Sequence, residues 1–431
     1  MKIGILTFAN VPNFGANLQA LSTISYLQNH GYNPILIKWE PEDFEARFTS
    51  IKTQKQPQEH FHFVEKYLPQ TKICRNDDDI CQVIKDEKIE GIIIGSDAVL
   101  QCSSFWGRLD FPTKTVVRVN KTTSEREYPN AFWGTFYDKL GSKIPMVIMS
   151  ASSQNAKYRL IARSVKHKMS NNLSHFEYIS VRDIWTRDMI TYITKGAIIP
   201  NITPDPVFAF NYNCAKFIPS KEDILLKYHL PENYVLVSMK CRMLDNMLWM
   251  DKLKSEMKKL YLECVALPMP TGIGFKHNFD FSITTPLPPL DWYALIKYAK
   301  GYIGENMHPI VVALHNAVPC FCFDTYGVLK YARCVCVEES SKIYDIMSRF
   351  SLLDNRINAY SRFWKCPPVD IVINRILHFD VIACQKTALN YYNNYEQMMS
   401  SILEVFKFYE ISYYIAMDAL SCYRRRKAGV V

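Results

Sequence analysis

Short apolar runs alternate with stretches of helical spacing, and the alternation occurs twice along the 431-residue chain. Ile3–Phe8 reads as a buried strand. Ala16–Asn29 sets Leu18, Leu21, Ile24 and Leu27 at helical intervals, and Gly31 stops that helix. Ile35–Trp39 is a second strand, and Ile92–Ile94 is a third that runs into Gly95-Ser96-Asp97. Met146–Met149 and Tyr178–Val181 add two more. Strand–helix alternation of this kind specifies a parallel sheet covered by helices.

The pattern restarts after a proline-marked break between Pro200 and Pro219. Val235–Met239 and Val265–Leu267 are strands flanking a helix near Met247–Leu260. Asp291 is predicted to cap a helix through Ala299, Gly301–Gly304 is a strand, and Pro309–Asn316 is a helix before the strand Val318–Phe323. A single core stops growing near ~250–300 residues, so the length also requires division. The predicted fold is α/β. It has two Rossmann-like domains, residues 1–210 and 211–345, followed by a mostly helical segment, 346–431. In that last segment Ile402, Val405, Phe406, Tyr409, Tyr413 and Met417 share one helical face, and Arg424-Arg425-Arg426-Lys427 follows. The face can pack on a domain, or it can dock on a membrane surface together with the basic run.

Hydrophobic residues at 48% and charged residues at 22% exclude a disordered, collagen-like or coiled-coil chain. No apolar run approaches the ~18 residues of a bilayer span, and Ile3–Phe8 is too short for a secretory signal. Thirteen scattered cysteines read as free thiols of a cytoplasmic protein. The formal charge of +9 favours anionic partners. Basic residues form no continuous run interleaved with aromatics apart from the terminal one, which argues against nucleic acid.

In parallel sheets, ligands bind beyond the carboxyl ends of strands where strand order reverses. Four segments fall at such places. Asn13 and Gly15 lie in the turn before the first helix, which is either an anion loop or an ordinary capped turn. Ser96 and Asp97 end the third strand, with a helix N-cap as the alternative role for Asp97. Arg182 follows Tyr178–Val181 and suits a carboxylate or phosphate, or else pairs with Asp183 or Asp188. Asn306 and His308 precede Pro309. Placing Pro309 first in its helix makes His308 the N-cap, where a positive helix end keeps the imidazole neutral and able to exchange protons. Lys240 and Arg242 supply cations at the matching edge of the second domain, or simply a solvated strand end. Cys320/Cys322 and Cys334/Cys336 fall at alternate strand positions, so each pair reads as two small buried hydrophobes. His60-Phe61-His62 reads as a solvated loop, and no metal site is expected.

Taken together, these segments resemble the polysaccharide pyruvyl transferase family. The resemblance rests on Asn13–Gln19, Gly95–Asp97, Phe132-Trp133-Gly134, Ala151–Ser153, Ser180–Arg182, Asp205-Pro206, and His308 with the later Pro319. It implies two facing domains in a GT-B-like arrangement. It also implies transfer of a pyruvyl group from phosphoenolpyruvate to two sugar hydroxyls, giving a cyclic ketal and phosphate. The second domain then serves the donor and the first the acceptor, a sugar of a cell-surface polysaccharide or its lipid-linked precursor. His308 maps to the family histidine as acid/base, and Arg182 to the arginine that pairs with the donor, with Lys240 or Arg242 assisting. Asp97 would orient or deprotonate the acceptor and Asn306 would hydrogen-bond the donor. Phosphoenolpyruvate is the co-substrate and no cofactor is implied. The location expected is cytoplasmic, with peripheral contact at the inner membrane face. Two features depart from the family pattern. Asn306 stands where many members have Arg or Ser, and Ala98-Val99-Leu100 stands where many have Gln-Val-Trp. A nucleotide-sugar glycosyltransferase, with Glu305 gripping the ribose, and a non-catalytic binding protein are the alternatives. The enzymatic reading requires His308 and Arg182 to meet at one anion site between the lobes.

Overall fold

The computed structural model describes residues 1–44, 54–110, 116–240, 246–330 and 335–427. Two parallel six-stranded sheets organise it. The first contains β1 (Lys2–Leu6), β2 (Asn33–Leu36), β3 (Gly91–Ile94), β4 (Met146–Ala151), β5 (Tyr178–Val181) and β6 (Asn201–Ile202), in the order β2-β1-β3-β4-β5-β6. Gln70 and Cys74 extend the β2 edge through parallel bridges to Leu36 and Trp39. The second contains β7 (Tyr234–Ser238), β8 (Glu263–Ala266), β9 (Phe281–Ser282), β10 (Gly301–Gly304), β11 (Cys320–Asp324) and β12 (Arg356–Asn358), in the order β9-β8-β7-β10-β11-β12. The second sheet therefore takes its edge strand from beyond residue 345.

Every residue of β3, β4, β7, β10 and β11 is buried, because helices cover both faces of each sheet. Their sequences are accordingly apolar runs with little polar alternation. One core is shared by the two sheets: Leu18 and Leu21 of the first pack in the same cluster as Trp292 and Leu295 of the second. Phe14 stacks on Trp292, with ring centroids 4.8 Å apart. This apolar seam fixes how the lobes face one another. The helix Val381–Lys427 ties them further. Cys384 donates to the Leu314 carbonyl in the second lobe. Phe406 packs against Gly91 and Met1 in the first, and the Tyr409 hydroxyl donates to Glu177. The shared helical face is therefore occupied by protein at Ile402 and Phe406. Tyr413, Met417, Arg424, Arg425, Arg426 and Lys427 lie beyond the described side chains. No helix among the described residues is long and apolar enough to cross a membrane.

Some local expectations change. The helix expected to be capped by Asp291 starts at Pro289, whose locked φ suits a first helical position, and Asp291 lies in its first turn. His308 is the second residue of the helix Met307–His315, and Asn306 is the N-cap. Pro309 fits third because first-turn N–H groups have no intrahelical acceptor. His60 belongs to the helix Lys55–Tyr67 and is fully buried, not solvated. Its Nδ1 lies 2.6 Å from Asn17 Oδ1 and its Nε2 lies 2.9 Å from the Pro270 carbonyl, so it joins the lobes. Cys320 and Cys322 are both buried. Cys334 and Arg242 lie outside the described residues.

Candidate active site between the lobes

Strand order reverses between β1 and β3 in the first sheet and between β7 and β10 in the second. The loops after β1, β3 and β10 and the end of β7 at Ser238 face one another across a cavity of about 440 Å³. Asn13, Gly15, Asp97, Asn306, His308 and Lys342 are among its walls.

Asn13 caps the first helix, accepting from the Gly15 N–H at 3.1 Å, so its side chain is spent on the turn. The turn presents Gly15 directly to His308, and a Cβ on Gly15 would overlap the imidazole. A glycine here is a requirement of close packing between lobes. His308 Nε2 is buried and has no hydrogen-bond partner among the described residues. Removal from water brings the imidazole pKa down to about 4; Lys342 and Arg182 reinforce this, while Asp97 and Asp205 oppose it. The ring is thus neutral near pH 7, as expected from the sequence. The main cause is enclosure between lobes rather than the N-cap position foreseen for it.

Asp97 adopts a left-handed backbone at φ +72°, and its carbonyl accepts from the Ser152 N–H at 2.8 Å. No helix begins there, so the N-cap alternative fails. Burial works against ionisation of Asp97, but the His308 ring when protonated, together with the Arg182 and Lys342 cations, holds its carboxyl below the ordinary range. Beside it, the Ser96 carbonyl accepts from Thr7 Oγ1 at 2.9 Å, while the Ser96 hydroxyl is buried without a partner among the described residues.

Arg182 does not line this cavity, so it and His308 do not meet at one open anion site as the sequence reading requires; it reaches the cluster through Asp97. Its NH1 donates to Asp205 at 2.6 Å, its NH2 lies 3.5 Å from Asp97, and its Nε and NH2 make no hydrogen bond among the described residues. Neither Asp183 nor Asp188 takes the guanidinium. Asp183 caps the helix Ile184–Ile193 by accepting from Thr186, and Asp188 pairs with Arg187. Asp205 is held in turn by Gln19 Nε2 at 2.5 Å. Arg182 lines a smaller cavity, about 60 Å³, which shares Lys342 and Met307 with the larger one. Its position suits holding Asp97 ionised and adding positive field more than clasping a ligand alone.

Sequence reasoning missed Lys342. It is 7% exposed and opens the helix Lys342–Arg349. Ser341 caps that helix and also donates to Asp324 at 2.5 Å. Burial, with help from Arg182, lowers the Lys342 pKa to about 8 against the pull of Asp97 and Asp183. Its ammonium lies 4.7 Å from the Tyr326 ring centroid, and the Lys240 ammonium lies 5.3 Å from the same ring. Two like charges over one ring make a corner that attracts an anion. Asn306 Nδ2 donates to a soft acceptor, Met269 Sδ, at 3.3 Å. Glu305 is fully buried and accepts from the Lys240 N–H at 2.9 Å.

Two Rossmann-like lobes with a cleft between their strand ends and a C-terminal helix spanning both define a GT-B-type protein. The UDP-GlcNAc 2-epimerase from Neisseria meningitidis bound to UDP-GlcNAc has this fold, with a TM-score of 0.52 and 9% identity over 94% of this chain and 99% of that one. The UDP-N-acetylglucosamine 2-epimerase from Rickettsia bellii is similar, with a TM-score of 0.50 and 11% identity over 95% and 96%. No curated protein matches the chain in sequence. Residues 13–326 match the sequence profile of the family described as polysaccharide pyruvyl transferase. The chain belongs to that family, a family of transferases.

Proposed function

We propose that this protein transfers a pyruvyl group from phosphoenolpyruvate to two hydroxyls of one sugar, forming a cyclic ketal and releasing phosphate. The observation that carries this reading is the juxtaposition of Lys240 and Lys342 over Tyr326 with His308 and Asp97. The donor is a compact anion bearing a carboxylate and a phosphate, and it needs clustered cations. The reaction also needs a group that moves protons beside them.

The first hydroxyl attacks C2 of the enol as C3 gains a proton, giving a tetrahedral ketal phosphate. The second hydroxyl then forms a C–O bond at C2 as the C2–O–phosphate bond breaks. Of the two hydroxyl protons, one ends in the new methyl group and the other leaves with phosphate. Neutral His308 accepts a hydroxyl proton, and ionised Asp97 supports the imidazolium that forms. Lys342, with a pKa near 8, holds the donor anion and is the nearby acid for C3. Arg182 keeps Asp97 charged, and Asn306 offers a neutral donor to the pyruvyl moiety. Phosphoenolpyruvate is a co-substrate and no other cofactor is invoked. The acceptor in this reading is a sugar of a cell-surface polysaccharide or its lipid-linked precursor, met in the cytoplasm at the inner membrane face.

The nucleotide-sugar alternative required Glu305 to grip a ribose, but its carboxylate is turned to the main chain of Lys240. Isotope-labelled phosphoenolpyruvate offered with an oligosaccharide tests the proposal. Label in the saccharide with equimolar phosphate release is expected. Consumption of UDP-sugar with the label left on phosphoenolpyruvate would sink it, and tight donor binding without phosphate release would favour a binding protein.

A further inference from the structure

Beside the 440 Å³ cavity lies a larger cleft of about 1200 Å³ that shares Gln101 and Arg126 with it. Its walls come from both lobes, which the Asn155 Nδ2–H joins by donating to the Gly327 carbonyl at 3.2 Å. Arg108, Arg118, Lys121, Arg126, Lys157 and Arg159 line it from the first lobe. Lys330 lines it from the second, and among the described lining residues there is no Asp or Glu. Glu127, outside the wall, meets Arg108 at 3.5 Å and is itself 47% exposed. Aromatic rings stand among the cations: the Trp106 indole is 64% exposed and Trp185 and Tyr360 are half-buried, while Tyr158 is buried against Trp185. Flat aromatic faces pack on the apolar faces of sugar rings, and a cleft lined by one sign of charge focuses its field on an anionic guest.

We infer that this cleft is the acceptor subsite and that the acceptor is an anionic saccharide. The negative charge sits on the saccharide units beyond the sugar being modified, either as uronic carboxylates or as a phosphate linkage. The two charged regions divide the substrates by position. The buried corner at Lys342 suits a small donor, and the open basic cleft suits a chain of sugar rings reaching it through Gln101 and Arg126. The inference rests on the pyruvyl-transfer reading only for which sugar enters the cavity.

Calorimetric titration of the full chain tests it. The ligands are phosphoenolpyruvate, an uncharged tetrasaccharide, a uronic-acid tetrasaccharide, a saccharide joined by diphosphate to a short isoprenyl chain, and a single-stranded oligonucleotide. The variant Arg118→Glu/Lys121→Glu/Arg159→Glu reverses three exposed cations. The expected result is binding of a charged saccharide but not the uncharged one. The triple variant should weaken that binding about tenfold or more, with phosphoenolpyruvate affinity unchanged as the control for folding. The charged ligand that binds more tightly identifies the source of the charge. Unchanged affinity of the variant for both charged saccharides would overturn the inference. So would equal affinity for the uncharged one, or tighter binding of a single-stranded oligonucleotide than of any saccharide. If charged saccharides bind as expected but no pyruvyl group is transferred, the reading above falls and this one stands. If the triple variant pyruvylates the natural glycan at the full rate, this one falls and the reading above stands.

Discussion

The two neighbouring cavities arrange charge in opposite ways. In the inner one the ionisable groups are buried and matched: Asp97 against His308, Arg182 and Lys342, and Arg182 against Asp205. In the outer one, cations line the described wall without a carboxylate and several of them are exposed. Matched, enclosed charges shift one another's pKa values and favour chemistry. Exposed charges of one sign hold a ligand and respond to salt. Changes to the inner cavity should therefore appear in turnover and donor binding. Changes to the outer one should appear only in acceptor affinity.

The largest effect is expected at His308. His308→Ala should lower kcat by about 10²–10⁴ while phosphoenolpyruvate still binds, as measured by phosphate release and by titration. A nearly unchanged kcat would remove it from proton transfer. Gly15→Ala sharpens the same point without touching an ionisable group. Its Cβ has to displace the imidazole or part the lobes. A shift of about 1 Å in a reacting group costs on the order of 10² in turnover. Turnover close to wild type in that variant would mean that the His308 position carries no such constraint.

The inner cavity was largely legible in the sequence and the outer one was not. Apolar runs marked β1, β3, β5, β7 and β10, because strands buried on both faces admit few polar residues. Asp97, Arg182 and His308 stand at strand or helix ends beside these runs, so their place in the fold followed from the pattern. Lys342 did not stand out. Ser341 before Ile343, Ile346 and Met347 signals a helix start, but nothing local says that Lys342 folds inward over Tyr326. The partnership of Arg182 with Asp205 spans 23 residues and depends on Gln19 from the first helix. The basic cleft gathers Arg108, the 118–126 stretch, the 157–159 turn and Lys330 from separate segments. No linear run announces it, because its cations are neighbours only in the folded chain. His60 was misread because its seclusion comes from the opposite lobe's Pro270.

Lys342→Met comes next in size. Losing a charge-assisted contact to the donor should raise its KM about tenfold or more, with a smaller change in acceptor KM, and losing the acid for C3 should lower kcat as well. Wild type should approach the same state at alkaline pH. The ammonium keeps its charge below about pH 8 and loses it as pH rises through that value, so donor affinity should fall there. In the Met variant that alkaline fall should disappear. On the acid side the sign is opposite for His308. It is neutral above about pH 4 and takes a proton as pH falls through that value, which removes the base.

Salt gives the smallest effect and separates the regions most directly. Screening acts on exposed charges across the ~8 Å Debye length of physiological solution and reaches buried pairs far less. Raising ionic strength should therefore lift acceptor KM several-fold while kcat at saturating acceptor stays level. The triple charge reversal should flatten the salt dependence of acceptor KM, whereas Lys342→Met should leave it intact. If salt instead lowers kcat at saturating acceptor, or if Lys342→Met abolishes the salt dependence of acceptor KM, the two cavities act as one anion site. The division of donor from acceptor by charge would then have to be abandoned.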